Sequence, residues 1–223
     1  MSSNKGLFKS SITKKIVMGL TGLFLITFLI VHAGVNALIF LNDGGQAFLK
    51  GASFMGTNPL IRIFEIVLVL GLLLHIIDGI IITRHNKMAR PIAYYGKGAS
   101  ANSTWYSRSM GILGLLILLF LIIHSAHFWI PNRYAQFTTG HEIDLFGRMK
   151  FIFSHAWIVG IYVGACIALS WHLMHGFKSA FQSLGLNHSK YNPIIKTVGF
   201  AFSIVCPLVF AMMPISMYFG LIQ

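Results

Sequence analysis

Carboxylates are scarce in this chain. Five Asp and Glu stand against 17 Lys and Arg in 223 residues, charged residues make up only 10% of the total, and 56% are hydrophobic. Together with a mean hydropathy of +0.74, this shortage of charge excludes an ordinary soluble domain. Cysteine is scarce too. Cys166 and Cys206 both fall inside apolar runs, which excludes the disulfide framework that small secreted domains need. The net charge of +12 could suggest a nucleic-acid partner. The Lys and Arg residues, however, sit between the apolar runs and form no stripe interleaved with aromatics, which is the topology-setting pattern of a membrane protein.

What the chain does have is five apolar segments, approximately 16–41, 60–83, 109–131, 153–177 and 194–221. Each is long enough to cross a hydrocarbon core of about 30 Å, which takes about 20 helical residues. Backbone groups in lipid must be satisfied within the segment, and the alternation of a barrel is absent, so the fold class expected is an all-α integral membrane protein with five transmembrane helices. The connecting stretches Asn42 to Pro59, Arg84 to Arg108, Asn132 to Lys150 and Lys178 to Pro193 read as loops. None is large enough for a second domain, so residues 1–223 form a single membrane domain. Lys5, Lys9, Lys14 and Lys15 precede the first run, but that run exceeds the about 7 to 15 apolar residues of a cleaved signal and reads as a retained span.

Orientation follows from the basic residues. One face collects Lys5, Lys9, Lys14, Lys15, Arg84, Lys87, Arg90, Lys97, Arg108, Lys178, Lys190 and Lys196, while the other has only Lys50, Arg62, Arg133, Arg148 and Lys150, diluted by Asp43, Glu142 and Asp144. The positive-inside rule puts the N-terminus in the cytoplasm and the C-terminus outside.

Spans 1 and 3 echo each other at an offset of 92 residues: Met18-Gly19-x-x-Gly22-Leu23 leads to Phe28-Leu29-Ile30-x-His32, and Met110-Gly111-x-x-Gly114-Leu115 leads to Phe120-Leu121-Ile122-x-His124. In spans 2 and 4, His75 precedes Gly79 by four residues and His172 precedes Gly176 by four. Glycines at such spacing mark close helix packing in lipid. They do not account for a histidine at the matching position of four spans.

An ionisable side chain within a span is costly, and four matched ones point to ligands. Each lies past the midpoint of its span, and neighbouring spans run in opposite directions, so His32 and His124 share an outer level and His75 and His172 an inner one. The levels are separated by about 11 to 16 Å along the membrane normal. A zinc or copper site would add thiolates, carboxylates or further histidines at one level. Here each level offers two imidazoles in an apolar wall of Leu, Ile, Phe, Gly and Ala, with Gly22, Gly114, Gly79 and Gly176 leaving room for a macrocycle. The residues therefore predict two bis-histidine haems b in a bundle of four of the five helices, with iron ligands His32, His75, His124 and His172 and both axial positions filled, which suits electron transfer. His127 and His175, three residues after two of these, could each face the bundle on periodicity alone. The internal alignment selects His124 and His172, leaving His127 as a hydrogen-bonding interfacial residue and His175 either as a group behind the ligands or as packing. His85, His141 and His188 read as solvated loop residues.

With these features the chain resembles the single-subunit, di-haem membrane anchor of succinate dehydrogenases and fumarate reductases over nearly its whole length. The resemblance is carried by Val31-His32-Ala33-Gly34-Val35-Asn36, His75-Ile76-Ile77-Asp78-Gly79, His124-Ser125-Ala126-His127-Phe128-Trp129 and, most specifically, the stretch from Trp171-His172 through His175-Gly176-Phe177-Lys178 to Gly185. It implies a flavoprotein subunit with FAD and an iron-sulfur subunit docked on the cytoplasmic face of a bacterial inner membrane, and a quinone, menaquinone by preference, exchanging electrons with a haem. This chain contains no dicarboxylate site, flavin motif or cysteine-rich cluster motif, so any succinate chemistry belongs to a partner. Glu65, ten residues before His75, is a candidate proton acceptor for a quinol, with an ion pair to Arg62 as the plainer role. Asp78 is expected either to orient groups near the inner haem or to bond backbone or hydroxyl neighbours. The alternatives are the di-haem anchor of a hydrogenase or formate dehydrogenase, or a stand-alone electron-transfer cytochrome b. A transporter would need broken helices at mid-membrane, and only Pro207 and Pro214 lie well inside a span, where they are expected to kink a peripheral helix.

Overall fold

A computed structural model describes residues 11–88 and 104–222; Lys5, Lys9, Arg90 and Lys97 lie outside the described residues. Among these the chain is all helix: α1 (Ser11–Ala37) with a tight 3₁₀ continuation (Leu38–Leu41), α2 (Gln46–Thr57), α3 (Pro59–Met88), the short α4 (Trp105–Arg108), α5 (Met110–His124), a π-helical turn (Ser125–Trp129), α6 (Ile130–Thr139), α7 (Leu145–Phe153), α8 (Ala156–Ser183) and α9 (Asn192–Tyr218).

Five stretches are long and apolar enough to cross a membrane: span 1 (Ile12–Leu41), span 2 (Pro59–Met88), span 3 (Met110–Thr139), span 4 (Ala156–Ser183) and span 5 (Asn192–Tyr218). Each has 27 to 30 residues, about 40 to 45 Å of helix at 1.5 Å per residue. Four of the five outrun the apolar runs that announce them because hydropathy marks only the part in hydrocarbon, whereas the hydrogen-bond ladder continues into the headgroups. Their outer faces are studded with large apolar residues such as Ile66, 63% exposed, and Ile112, 65% exposed, which a lipid solvent accommodates.

Spans 1 to 4 form a ring in chain order, each packed against its two neighbours, with no extensive contact across either diagonal. Span 5 stands outside the ring against spans 4 and 1. Its inner face is among the most buried surfaces of the protein, including Gly199, Ser203, Cys206, Pro207 and Pro214, and α9 runs unbroken through both prolines. Ser203, fully buried, satisfies its hydroxyl on the Gly199 carbonyl at 2.6 Å.

Two of the expected loops are largely helical. Asn42 to Pro59 contains α2, and Asn132 to Lys150 contains most of α6 and the first part of α7. These short amphipathic helices close the outer end of the bundle by burying Phe48, Phe146, Met149, Ile152 and Phe153 against Tyr162, Met213 and Met217. Gly45 at the start of α2 has φ of 78°, a conformation that suits glycine. A Cβ there would also run into the Phe146 ring. A second apolar cluster, Ile26, Leu173 and Phe177, ties spans 1, 4 and 5 together nearer the other end.

The contact between spans 4 and 5 depends on Gly199, where an added Cβ would sit 2.6 Å from a Phe177 ring carbon. Gly199→Val is expected to destabilise the fold by about 1–3 kcal/mol through overpacking. Gly160→Ala, with nothing within 4 Å of the new Cβ, should leave stability unchanged or slightly raised. Thermal unfolding of the two variants in detergent measures the contrast.

Candidate haem-ligand site

The diagonals of the ring are bridged by histidines. His32 of span 1 faces His124 of span 3 with ring centres 5.8 Å apart and planes at 90°. His75 of span 2 faces His172 of span 4 at 6.3 Å and 68°. Two imidazoles that bind one metal from opposite sides through bonds of about 2 Å have ring centres roughly 6 Å apart. Both separations fall at that value. The pairing is the one that depth along the spans predicts.

The neighbours of His75 bear on the position of its proton. Thr21 Oγ1 donates its hydroxyl proton to the Val17 carbonyl at 2.8 Å, with Met18 O at 3.2 Å as a second acceptor. Its lone pair is then free to accept from His75 Nδ1 at 3.1 Å. This arrangement favours the tautomer with the proton on Nδ1 and the lone pair on Nε2. At His32 the neighbour is Asn36, whose Nδ2 donates to the His32 carbonyl at 2.8 Å and lies 3.4 Å from Nδ1. His124 Nδ1 and His172 Nδ1 are buried without a hydrogen-bond partner. No described protein group bonds Nε2 of any of the four.

Small residues lie beside these rings. A Cβ on Gly22 would sit 3.7 Å from His75 Cε1 and one on Gly114 would sit 4.0 Å from His172 Cε1; of the other two glycines expected to leave room, Gly79 would place its Cβ 3.7 Å from Met18 Cε, and a Cβ on Gly176 would meet nothing within 4 Å, so neither lies against a histidine ring. The repeat glycines of spans 1 and 3 thus open space beside the histidines of spans 2 and 4. Among the described residues no group of three or more His, Cys, Asp or Glu side chains converges, so the donor set is two imidazoles per level. That set, its spacing, the open Nε2 atoms and the glycine-lined space fit a planar metal macrocycle held axially.

His127 packs on span 4 and, among the described residues, has no histidine opposite it. Its ring stacks on Tyr162, with planes at 5°, and its Nδ1 is 2.9 Å from the Tyr162 hydroxyl, a hydrogen-bonding role as expected. The backbone explains the direction. Pro131 has no N–H to offer the His127 carbonyl four residues earlier, the helix widens so that Ile130 N–H bonds Ser125 O, and Arg148 Nε from α7 donates to the freed carbonyl. His175 is half-buried. His141 and His188 are exposed outside the helices, but His85 is an exposed residue of the last turn of α3. His155, a tenth histidine, precedes α8 and is exposed.

Glu65 is an ion-pair residue with more partners than Arg62. Arg62 NH1 donates to Oε2 at 3.0 Å, Arg133 NH2 to Oε2 at 2.6 Å, Arg133 Nε to Oε1 at 2.9 Å and the Trp129 indole to Oε1 at 2.6 Å. Arg133 NH1 reaches Gln136 Oε1, and Gln136 bonds Glu142 at 2.8 Å. Span 3 continues past residue 131, the end of its apolar run, and so places Trp129 and Arg133 one turn apart beside span 2; that i, i+4 spacing was the signal available in the sequence. Asp78 departs from the second of its two expected roles, bonding to backbone or hydroxyl neighbours, at one oxygen. It is buried, and its Oδ2 has no hydrogen-bond partner, so it bonds through that oxygen to neither backbone nor hydroxyl.

No family model matches the chain, and no curated protein or solved structure matches it either.

Glu65→Gln leaves Arg133 facing a neutral amide in a mostly buried setting, since the two side chains are 19% and 13% exposed. It is expected to cost about 3 kcal/mol, the lower end for a broken buried pair. Glu142→Gln, which keeps a hydrogen-bonding amide at the edge of the network, should cost under about 1 kcal/mol. Denaturation midpoints in detergent distinguish the two.

Proposed function

We propose that this chain is the membrane-anchor cytochrome b subunit of a succinate:quinone oxidoreductase, a succinate dehydrogenase or fumarate reductase, and that it holds two haems b. The observation that supports this most is the pair of diagonal imidazole contacts, 5.8 and 6.3 Å between ring centres, with Nε2 atoms free of protein partners. Haems held there by these residues would supply one-electron transfer between an iron-sulfur subunit and a membrane quinone.

The chain's own residues supply ligation, orientation and insulation. His32 and His124 would hold the outer haem and His75 and His172 the inner one. Thr21 favours the His75 tautomer that leaves Nε2 available. Tyr162 holds His127 aside, and the apolar walls exclude water from both levels. Docking of a flavoprotein with FAD and of the iron-sulfur subunit is proposed for the basic face, taken as cytoplasmic in a bacterial inner membrane by the positive-inside rule. The quinone, menaquinone by the resemblance, is proposed to meet the outer end of the bundle near Glu65. There Glu65 would accept a quinol proton only by giving up donors from Arg62, Trp129 or Arg133.

A reduced-minus-oxidised visible spectrum of the purified chain or its complex tests the reading, with b-type bands and two haems per polypeptide expected. A ratio near one means that one pair does not hold a haem, and absent bands remove the proposal. His32→Ala and His124→Ala should each abolish the same haem and leave the other intact, and His75→Ala and His172→Ala should do so for the second. Thr21→Val should retain both haems and shift the midpoint potential of the one held by His75, as read by redox titration. An unchanged potential would show that Thr21 does not act on that ligand.

A further inference from the structure

On the basic face, the C-terminal end of α8 and the start of α9 enclose a cleft of about 110 Å³. Lys178, Gln182 and Lys196 line its polar side, and Phe181, Leu186 and Ile195 line its apolar side. Both lysines are exposed. Neither has a carboxylate available to it. The chain has only five acids: Glu65 and Glu142 are engaged with Arg62, Arg133 and Gln136, Asp43 and Asp144 accept from Ala47 N–H and Gly147 N–H at the starts of α2 and α7, and Asp78 is buried in span 2. The counter-charge for this cleft therefore comes from outside the chain.

We infer that the cleft between α8 and α9 binds the headgroup phosphate of an anionic phospholipid. The chemistry of the cleft selects this ligand on three grounds. Lys178 and Lys196 present two ammonium groups to one anion, and each lysine near a membrane surface contributes about 1 kcal/mol toward an anionic lipid. Gln182 adds an amide donor suited to phosphate or glycerol oxygens. Beyond the polar rim, α9 carries Val198 and Phe200, 52% and 60% exposed, three residues past Ile195 and four past Lys196 toward the membrane interior, where an acyl chain continues from its headgroup. A free phosphate would use the lysines and leave this apolar wall idle. An acidic protein surface would likewise have no use for apolar residues at lipid depth. The inference does not depend on haem binding.

Native mass spectrometry of the full chain in detergent, titrated with phosphatidylglycerol or phosphatidylcholine, tests it. Wild type is expected to retain phosphatidylglycerol in preference to phosphatidylcholine. Loss of both charges in Lys178→Gln/Lys196→Gln should weaken retention roughly 30-fold, from about 1 kcal/mol per lysine. Lys178→Arg/Lys196→Arg should keep it, and Arg84→Gln/Lys87→Gln, on the same face but outside the cleft, should match wild type. Unaltered elution on gel filtration checks that each variant is folded. Equal retention of the two lipids, or of phosphatidylglycerol by wild type and the double Gln variant, would overturn the inference. So would displacement of the lipid by excess inorganic phosphate, which would make the cleft a site for the free ion.

Discussion

Hydrocarbon offers a polar group nothing to bond with, and the described spans answer this by turning hydroxyls back onto their own helix or by bringing polar groups together, with Asp78 Oδ2, His124 Nδ1 and His172 Nδ1 as buried exceptions. The backbone resolves the demand by forming helices throughout the described residues. Thr21 and Thr27 turn their hydroxyls back to carbonyls four residues earlier, and Ser203 does the same in full burial. Where Pro131 breaks the ladder, Arg148 crosses from α7 to take the His127 carbonyl. Against this background the imidazoles stand out. They face one another across the ring in two pairs, with ring centres 5.8 and 6.3 Å apart.

The five spans were legible because hydrophobic length is a strong signal. The pairing of histidines was legible because depth and an internal repeat restrict it: matched positions of spans 1 and 3, and of spans 2 and 4, meet across the diagonals. Other features depend on contacts that periodicity does not encode. The helices α2 and α7 are too short and too mixed in composition to read as spans, and their burial comes from the bundle end that they close. The π-helical turn follows from Pro131, but where its strain is taken up depends on Arg148, 17 residues later in the sequence. Glu65 looked paired to Arg62 alone because Arg133 lies beyond the apolar run of span 3. Asp78 kept an oxygen without a partner, which local spacing gave no reason to expect.

Charge divides the molecule as sharply as hydropathy does. At the outer end, acids and bases neutralise one another within the chain, and Glu65, Arg133, Gln136 and Glu142 link span 2, span 3 and the segment before α7 into one network. At the opposite end Lys178 and Lys196 stand exposed beside one cleft.

The internal repeat also relates the groups that grip the π-helical turn. Glu65 and Tyr162 stand 10 residues before His75 and His172, respectively, and one holds Trp129 while the other holds His127. The repeat is not perfect, however. Thr21 and Asn36 touch the histidines of spans 2 and 1, but their counterparts at the offset of 92 are Leu113 and Phe128, which cannot hydrogen-bond through their side chains, and His172 Nδ1 and His124 Nδ1 go without partners. A bundle with exact two-fold symmetry would make the two halves of each imidazole pair degenerate. Here all the polar support comes from span 1, so each pair has one anchored and one unanchored member, and the fold carries a built-in handedness across its own axis.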